Sequence, residues 1–242
     1  MDKKIVIIPT YNESENIAAM IDRVMGLAGG FDLLVIDDGS PDGTAGIVRA
    51  AQGRWPDRLH LLERKGKLGL GTAYLAGFRW ALEAGYDYVF EMDADFSHDP
   101  CDLERLYAAA VEGADVVVGS RYVSGVNVVN WPMGRLLMSW CASRYVHLIT
   151  RMPVRDATAG FVCYARSVLE AIDLDAVRMK GYGFQIEMKY TAWRLGFRVR
   201  EVSIIFTERV LGTSKMSSGI FGEAFWGVLA LRWRRIRGKR TK

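Results

Sequence analysis

Short, continuously apolar runs that alternate with amphipathic stretches constrain this chain more than any other feature. Ile5-Val6-Ile7-Ile8, Leu33-Leu34-Val35-Ile36 and Val116-Val117-Val118 have strand length and no polar position, and Tyr86-Asp87-Tyr88-Val89-Phe90 departs only at Asp87. A strand that is apolar on both faces needs cover on both faces, as in a parallel sheet flanked by helices. Between the runs, apolar residues recur every three or four positions: Ile17, Met20, Ile21 and Val24; Tyr74, Phe78, Ala81 and Leu82; Leu103, Leu106, Tyr107 and Ala110. That is helical spacing. Asn12 or Ser14 is expected to cap the first helix, Leu59 to Leu62 to add a strand, and Asp99-Pro100 to start a helix with an acid and a proline. The alternation predicts an α/β fold with a mostly parallel central sheet, helices on both faces and a ligand crevice beyond the carboxyl ends of the strands.

Those strand ends carry polar groups: Tyr11 beyond the first, Asp37 and Asp38 at the second, Asp93 and Asp95 beyond the 86–90 run, Arg121 after Val118. Two carboxylates one residue apart at a sheet edge suit a hard divalent cation, Mg²⁺ or Mn²⁺, which binds one or two carboxylates plus a substrate's phosphates. Taken alone, Asp93-Ala94-Asp95 reads more readily as a pair of solvated loop acids, with Asp95 starting a turn. With its neighbours it describes a nucleotide-diphosphate site. There the Pro9–Glu13 loop and the Ile36-Asp37-Asp38 strand end hold base and ribose, and Arg209 and Lys215 neutralise a departing group. Gly66-Lys67-Leu68-Gly69-Leu70-Gly71 is neither a Walker loop nor the Rossmann glycine pattern.

The 242 residues are half hydrophobic, enough for one large domain over 1–217, with 218–242 as an appendage. The formal charge of +4 is misleading as an average, because the last eleven residues hold seven Lys/Arg and no acid. The remainder carries 25 basic against 28 acidic groups. No nucleic-acid recognition motif accompanies that tail. Three widely spaced cysteines, Cys101, Cys141 and Cys163, argue against a disulfide framework and for a reducing compartment. The first residues show no signal-peptide pattern, and no apolar run reaches the roughly 18 residues of a membrane span.

In the second half, Trp131 to Thr150 and Phe184 to Leu195 read as helices, and Phe161 to Tyr164, Arg198 to Val202 and Ile204 to Phe206 as short strands. Arg135 and Ser139 fall one turn apart on one side of the first of these helices. Ile220 to Leu231 is apolar and precedes the basic tail. With Trp226 and Trp233 it fits either a helix lying at a membrane surface or a core helix followed by a solvated tail. Met20, Met25 and Met188 read as core, Cys163 as a packed thiol, and His98 as a turn residue or supporting partner rather than a ligand. Gln185 and Glu187 face either a crevice or solvent. Arg121 makes either a structural ion pair or an anion contact.

Taken in order, Pro9-Thr10-Tyr11-Asn12-Glu13, Asp37-Asp38-Gly39-Ser40-Pro41-Asp42-Gly43-Thr44, Lys67-Leu68-Gly69-Leu70-Gly71, Asp93-Ala94-Asp95 and Gly119-Ser120-Arg121-Tyr122 resemble the dolichol-phosphate mannose synthases. With Asn130-Trp131-Pro132 and the 209–215 stretch, the likeness runs from about Ile5 to Lys215. In bacteria these are the polyprenol monophosphomannose synthases, inverting family-2 glycosyltransferases of the GT-A fold. The resemblance implies a catalytic domain over 1–217 and transfer of mannose from GDP-mannose to a polyprenyl phosphate, with Mg²⁺ or Mn²⁺. By motif, Pro9, Tyr11, Glu13, Ile36, Asp37 and Asp38 would contact the nucleotide. Asp93, Ala94 and Asp95 would hold diphosphate, with Asp93, Asp95 and Ser97 (Gln in some relatives) around the metal. Arg209 and Lys215 would close over the phosphates, Lys180 would reach the donor, and Arg121, Arg135 and Ser139 would bind the acceptor's phosphate. The implied location is the cytoplasmic face of a membrane, reached through 218–242. Competing readings are a sister enzyme using UDP-glucose or another sugar nucleotide, and a non-catalytic nucleotide- or membrane-binding module.

Overall fold

The computed structural model describes residues 2–179, 181–209, 219–234, 236 and 238, without the side chains of 182 and 219–224. The first half is the expected alternation: β1 (Lys4–Thr10), α1 (Ile17–Met25), β2 (Asp32–Asp37), α2 (Thr44–Gln52), β3 (Leu59–Glu63), α3 (Leu70–Glu83), β4 (Tyr88–Glu91), α4 (Asp102–Val111) and β5 (Val116–Ser120). Then follow β6 (Val128–Val129), α5 (Met133–Thr150), β7 (Val162–Ala165), α6 (Arg166–Ala171), a 3-10 turn (Leu174–Ala176), α7 (Gly181–Arg194), β8 (Val199–Ser203), β9 (Phe206–Thr207) and α8 (Gly219–Trp233).

Seven strands form one sheet in the order β3-β2-β1-β4-β7-β5-β8. β7 runs antiparallel to both β4 and β5, and the other neighbours are parallel. Successive side chains alternate faces, so each apolar strand feeds two cores. Val6, Ile8, Leu33 and Val35 pack with α1, α2 and α4. Ile5, Ile7, Leu34 and Ile36 pack with α3, α6 and α7. The second layer is tight: a Cβ on Gly77 of α3 would lie 2.8 Å from the Ile36 side chain and 2.9 Å from that of Ile7. A third cluster joins Val146 of α5, Ile186 and Tyr190 of α7, and Val228 and Leu231 of α8. Met20, Met25, Met188 and Cys163 are core, as expected.

Two local expectations need correction. The first helix begins at Ile17 after Asn16, with no side-chain cap from Asn12 or Ser14. The Asn12, Glu13 and Ser14 amides donate instead to Ser40 Oγ, Thr44 Oγ1 and Asp42 Oδ2, each at 3.0 Å, so the loop after β1 is braced sideways by the loop after β2. Burial pushes the Asp42 carboxyl up, but the hydrogen bonds from Thr44 and Ser14 outweigh it and hold it down to about 2. The last strand is Phe206–Thr207, paired with β6 in a separate two-stranded sheet, while Ile204 lies buried against the first core.

Candidate active site

The parallel strands bring their carboxyl ends to one edge, and the loops there line a cavity of about 500 Å³. Asp93, Ser97, Arg121, Arg135, Ser139 and Arg209 all border it. Residues up to 116 positions apart in the chain therefore meet at one cavity.

The acidic centre is built by the turn after β4. Asp95 is 7% exposed and accepts from the Ser97 amide (3.1 Å) and hydroxyl (2.6 Å). Arg209 Nη2 lies 3.0 Å from its Oδ2. Arg209 is delivered there by β9: the Thr207 amide donates to the Ser97 carbonyl at 3.2 Å and the Glu208 amide to that of Val129 at 3.0 Å. Asp93 is half-buried, with its Oδ2 3.9 Å from His98 Nδ1. Burial, then the Asp95 charge, pushes the Asp93 carboxyl above the usual carboxylate range. Two crowded acids fit a hard divalent cation. Among the described residues no three His, Cys, Asp or Glu side chains group tightly enough to hold one unaided. Asp93 and Asp95 are thus a partial ligand set of the kind that substrate phosphates complete. The Ser97 hydroxyl is directed at Asp95, which makes it an orienting partner of that carboxylate.

His98 supports the turn, as its sequence position suggested. It is 3% exposed, accepts from the Asp93 amide at Nδ1 (3.4 Å) and stacks on Phe161 at 4.9 Å between ring centroids. Burial holds its pKa down to about 4.

Of the residues expected to contact a nucleotide, Asp37, Asp38, Tyr11 and Glu13 have side-chain partners within the chain. Asp37 accepts from Thr10 Oγ1 (3.0 Å) and from the Ser40 amide (2.9 Å) and hydroxyl (2.5 Å), bracing the loop. Asp38 takes a bidentate pair from Arg64, at 2.6 and 2.7 Å, and Arg64 is steadied by Thr72 Oγ1 at 2.9 Å. The Ile36 side chain is in the core, so it could meet a ligand only through its backbone, while Pro9, beside it in the β1–β2 ladder, is partly exposed. Tyr11 lies under Lys67, whose Nζ is 5.2 Å from the ring centroid. The Glu13 carboxylate accepts from Asn16 Nδ2 at 3.1 Å. Ala94 is buried between the two acids.

At the far side Arg121 turns its guanidinium to Asp156, Nε–Oδ2 2.7 Å and Nη2–Oδ1 2.6 Å, and to Thr158 Oγ1 at 2.9 Å. Of the two readings, the ion pair is the one displayed, although Arg121 also forms part of the cavity wall. Burial opposes ionisation of Asp156, but Arg121 overrides it and lowers the carboxyl's pKa. Arg135 pairs with Glu208 and lies 4.3 Å over the Trp131 ring, and Ser139 accepts from the Tyr122 hydroxyl at 2.8 Å. Lys180 and Lys215 lie outside the described residues.

Of the two readings of Gln185 and Glu187, crevice or solvent, solvent is excluded: both are buried, at 2% and 1% exposure. Gln185 faces the cavity. Glu187 turns away from it, accepting the Arg178 and Met179 amides and pairing with Arg234. The sequence also gave no sign that Glu91 and Lys189 are wholly buried beneath the site. Lys189 Nζ donates to the Ala159 carbonyl at 2.6 Å. Burial drives both toward their neutral forms, the Glu91 carboxyl up to about 8 and the Lys189 amine down to about 8.

A parallel sheet with acids at its carboxyl edge, opposed by arginines, defines a nucleotide-sugar transferase architecture, and comparison with known proteins agrees. Residues 5–173 match glycosyl transferase family 2, and the chain belongs to that family. It is 48% identical over 240 residues to the undecaprenyl-phosphate mannosyltransferase of Micrococcus luteus, covering 97% of this chain and 98% of that one. It is also 48% identical to the polyprenol monophosphomannose synthase of Mycolicibacterium smegmatis, covering 93% of this chain and 87% of the relative. Among solved structures, glucosyl-3-phosphoglycerate synthase from Mycobacterium tuberculosis, in complex with phosphoglyceric acid, superposes with a TM-score of 0.71 at 19% identity, covering 95% of this chain and 80% of that one. The same enzyme with Mn²⁺, uridine diphosphate and glucosyl-3-phosphoglycerate gives 0.68 at 21% identity, covering 95% and 78%. The fold is GT-A.

Proposed function

We propose that this protein transfers mannose from GDP-mannose to a polyprenyl phosphate with inversion at the anomeric carbon. One observation carries the choice of acceptor. The cavity that begins at Asp93, Arg121, Arg135 and Arg209 continues without a break between α5, α7 and α8, where Met138, Ala142, Val146, Ile186, Phe225 and Val228 line it. A charged mouth leading to an apolar gallery suits an amphiphile with an anionic head and a hydrocarbon tail. The two relatives named for undecaprenyl phosphate and polyprenol support the same reading.

The chemistry follows from the acceptor. A phosphate oxygen is anionic near neutral pH, so no side chain need take a proton from it; positioning and charge neutralisation remain. Arg121 and Arg135 border the place where the acceptor's head would sit, and Ser139 and Thr158 offer hydroxyls beside them. Asp93 and Asp95, with the donor's phosphates, would hold Mg²⁺ or Mn²⁺, and that cation would supply charge neutralisation at the diphosphate. Arg209 supplies a fixed positive charge at the same end, and Asp37 and Asp38 keep the nucleotide-side loops in shape.

No helix among the described residues is long and apolar enough to cross a membrane. Exposed Leu137, Met138 and Trp140 on α5 and Trp226 and Trp233 on α8 flank the apolar gallery. They support a peripheral position on the cytoplasmic face of a membrane, with 1–217 as the catalytic domain and 218–242 at the lipid surface. The deciding experiment mixes the protein with Mg²⁺, a polyprenyl phosphate and either GDP-mannose or UDP-glucose, each sugar labelled. Labelled lipid is expected from GDP-mannose alone. Labelled lipid from UDP-glucose instead, or none from either, would overturn the proposal.

A further inference from the structure

Arg234 follows the last residue of α8 and belongs by sequence to the basic tail, yet its guanidinium is turned into the body of the protein. It pairs with the Glu187 carboxylate of α7 and donates to the Ala176 carbonyl. Its neighbours Arg232 and Trp233 are exposed. The Glu187 side chain is 2% exposed, and its carboxylate also accepts the Arg178 amide at 3.0 Å and the Met179 amide at 2.7 Å. One acid therefore gathers three segments: α7, the 176–179 stretch before it and the end of α8. A charge buried this deeply is kept only where it is paired and hydrogen-bonded, and Glu187 meets both conditions.

The rest of α8 is fitted to the same place. Gly227, Leu231 and Arg234 recur at helical spacing. A Cβ on Gly227 would lie 2.5 Å from Met179 Cε, so α8 comes close to the segment that Glu187 holds. Leu231 is buried in the cluster with Ile186 and Tyr190 of α7. Beside that stripe, Phe225 and Val228 line the cavity together with Met138, Ala142 and Val146 of α5. The Tyr145 hydroxyl donates to the Phe225 carbonyl at 3.0 Å and ties the helix to α5. Neither Glu187 nor Arg234 borders the cavity, so any effect of theirs on transfer passes through α8.

We propose that Glu187 and Arg234 are a positioning pair for the acceptor's hydrocarbon chain: they hold α8 against α7 and so keep Phe225 and Val228 in the wall of the apolar gallery. The inference rests on the proposed polyprenyl-phosphate acceptor. The two ends of that acceptor are met by different elements. Arg121 after β5 and Arg135 on α5 face its phosphate, and neither belongs to α8. Loosening α8 therefore removes apolar contact from the chain while the anionic head, the donor and the metal acids keep their surroundings.

Wild type, Arg234→Met and Arg234→Lys are assayed with GDP-mannose, Mg²⁺ and a polyprenyl phosphate dispersed in detergent micelles, which takes docking to a bilayer out of the comparison. Thermal unfolding of each protein is recorded in parallel. Methionine removes the charge and keeps much of the length; lysine keeps the charge. Arg234→Met should raise the acceptor KM by about 10-fold, with kcat and the GDP-mannose KM within about twofold of wild type. Arg234→Lys should recover part of the loss. Gly227→Leu drives a wedge toward Met179 and should give the same acceptor-selective rise without touching the ion pair, so it carries the test if Arg234→Met does not fold. An unchanged acceptor KM, an equal rise in both KM values, or a fall in kcat alone would show that the pair only stabilises the fold, and would overturn the inference. If wild type makes no mannosyl lipid, the proposed function itself fails, a result distinct from active wild type with indifferent variants.

Discussion

Arg209 Nη2 sits 3.0 Å from Asp95 Oδ2, so the structure already sets a positive charge against one of the two acids proposed to hold metal. Both partners are largely screened from solvent, with side-chain exposures of 25% and 7%. The pair is held in place from behind, because the segment carrying Arg209 is bonded to Ser97 and Val129. A cation fixed at the diphosphate end stabilises charge that develops on the leaving group. Arg209→Ala should therefore lower kcat by roughly 10²- to 10³-fold, and Arg209→Lys by less, since lysine keeps the charge without the fork. Steady-state kinetics at saturating donor and metal measure this, and an unchanged kcat in the alanine variant would contradict it.

Ser97 donates to Asp95 at 2.6 Å, the geometry of a residue that aims a ligand. Removing such a partner typically weakens metal binding by about 10- to 100-fold. Ser97→Ala should raise the metal concentration for half-maximal activity within that range, with kcat largely restored at saturating metal. A kcat that stays low at any metal concentration would make the hydroxyl a direct participant.

His98 should make stability depend on pH. Its unfolded pKa is about 6.5 and burial holds the folded value down to about 4. A base whose folded pKa is depressed contributes stability that is present above the unfolded value and lost as pH falls through the folded one. Stability should thus drop between about pH 6.5 and 4 as protonation breaks the Asp93 N–H to Nδ1 bond and charges a buried ring. His98→Phe keeps a ring against Phe161 and should lose this part of the acid slope. Urea unfolding of both proteins at pH 7 and 4.5 compares them, and identical slopes would show that His98 is not responsible.

Arg121 and Asp156 form a buried bidentate pair, with side-chain exposures of 9% and 0%. Deleting one member strands the other's charge in a dry environment, at a cost of roughly 3–5 kcal/mol. Asp156→Ala should therefore unfold at markedly lower denaturant concentration than wild type. It should also lose acceptor binding, because Arg121 would no longer be held at the cavity wall. A loss of activity with native stability would mean that the pair serves the substrate alone.

Much of this architecture is legible in the sequence. Unbroken apolar runs at 5–8, 33–36 and 116–118 became two-sided strands because each residue had a core to enter, and acids at their ends stayed at the edge because a dry core could not hold them. The expected helix over 131–150 runs from Met133 to Thr150. What could not be read was set by distant partners. Phe161 to Tyr164 looks the same in either direction, and only its pairing with both β4 and β5 makes it antiparallel. The bracing of Asn12, Glu13 and Ser14 by the 40–44 loop, the pairing of Asp38 with Arg64, and the burial of Glu91, Gln185 and Lys189 depend on residues 26 to 98 positions away. No local periodicity reports on such contacts.

The central claim is electrostatic: a divalent cation on Asp93 and Asp95 makes diphosphate able to leave. Protein stripped with a chelator is incubated with labelled GDP-mannose and a polyprenyl phosphate, then supplied with Mg²⁺ or Mn²⁺, beside an Asp95→Ala variant whose fold is verified by circular dichroism. Labelled lipid should vanish on chelation, return with metal in wild type and fail to return in the variant. Undiminished turnover in the chelated protein, or full metal-restored turnover by Asp95→Ala, would contradict the account.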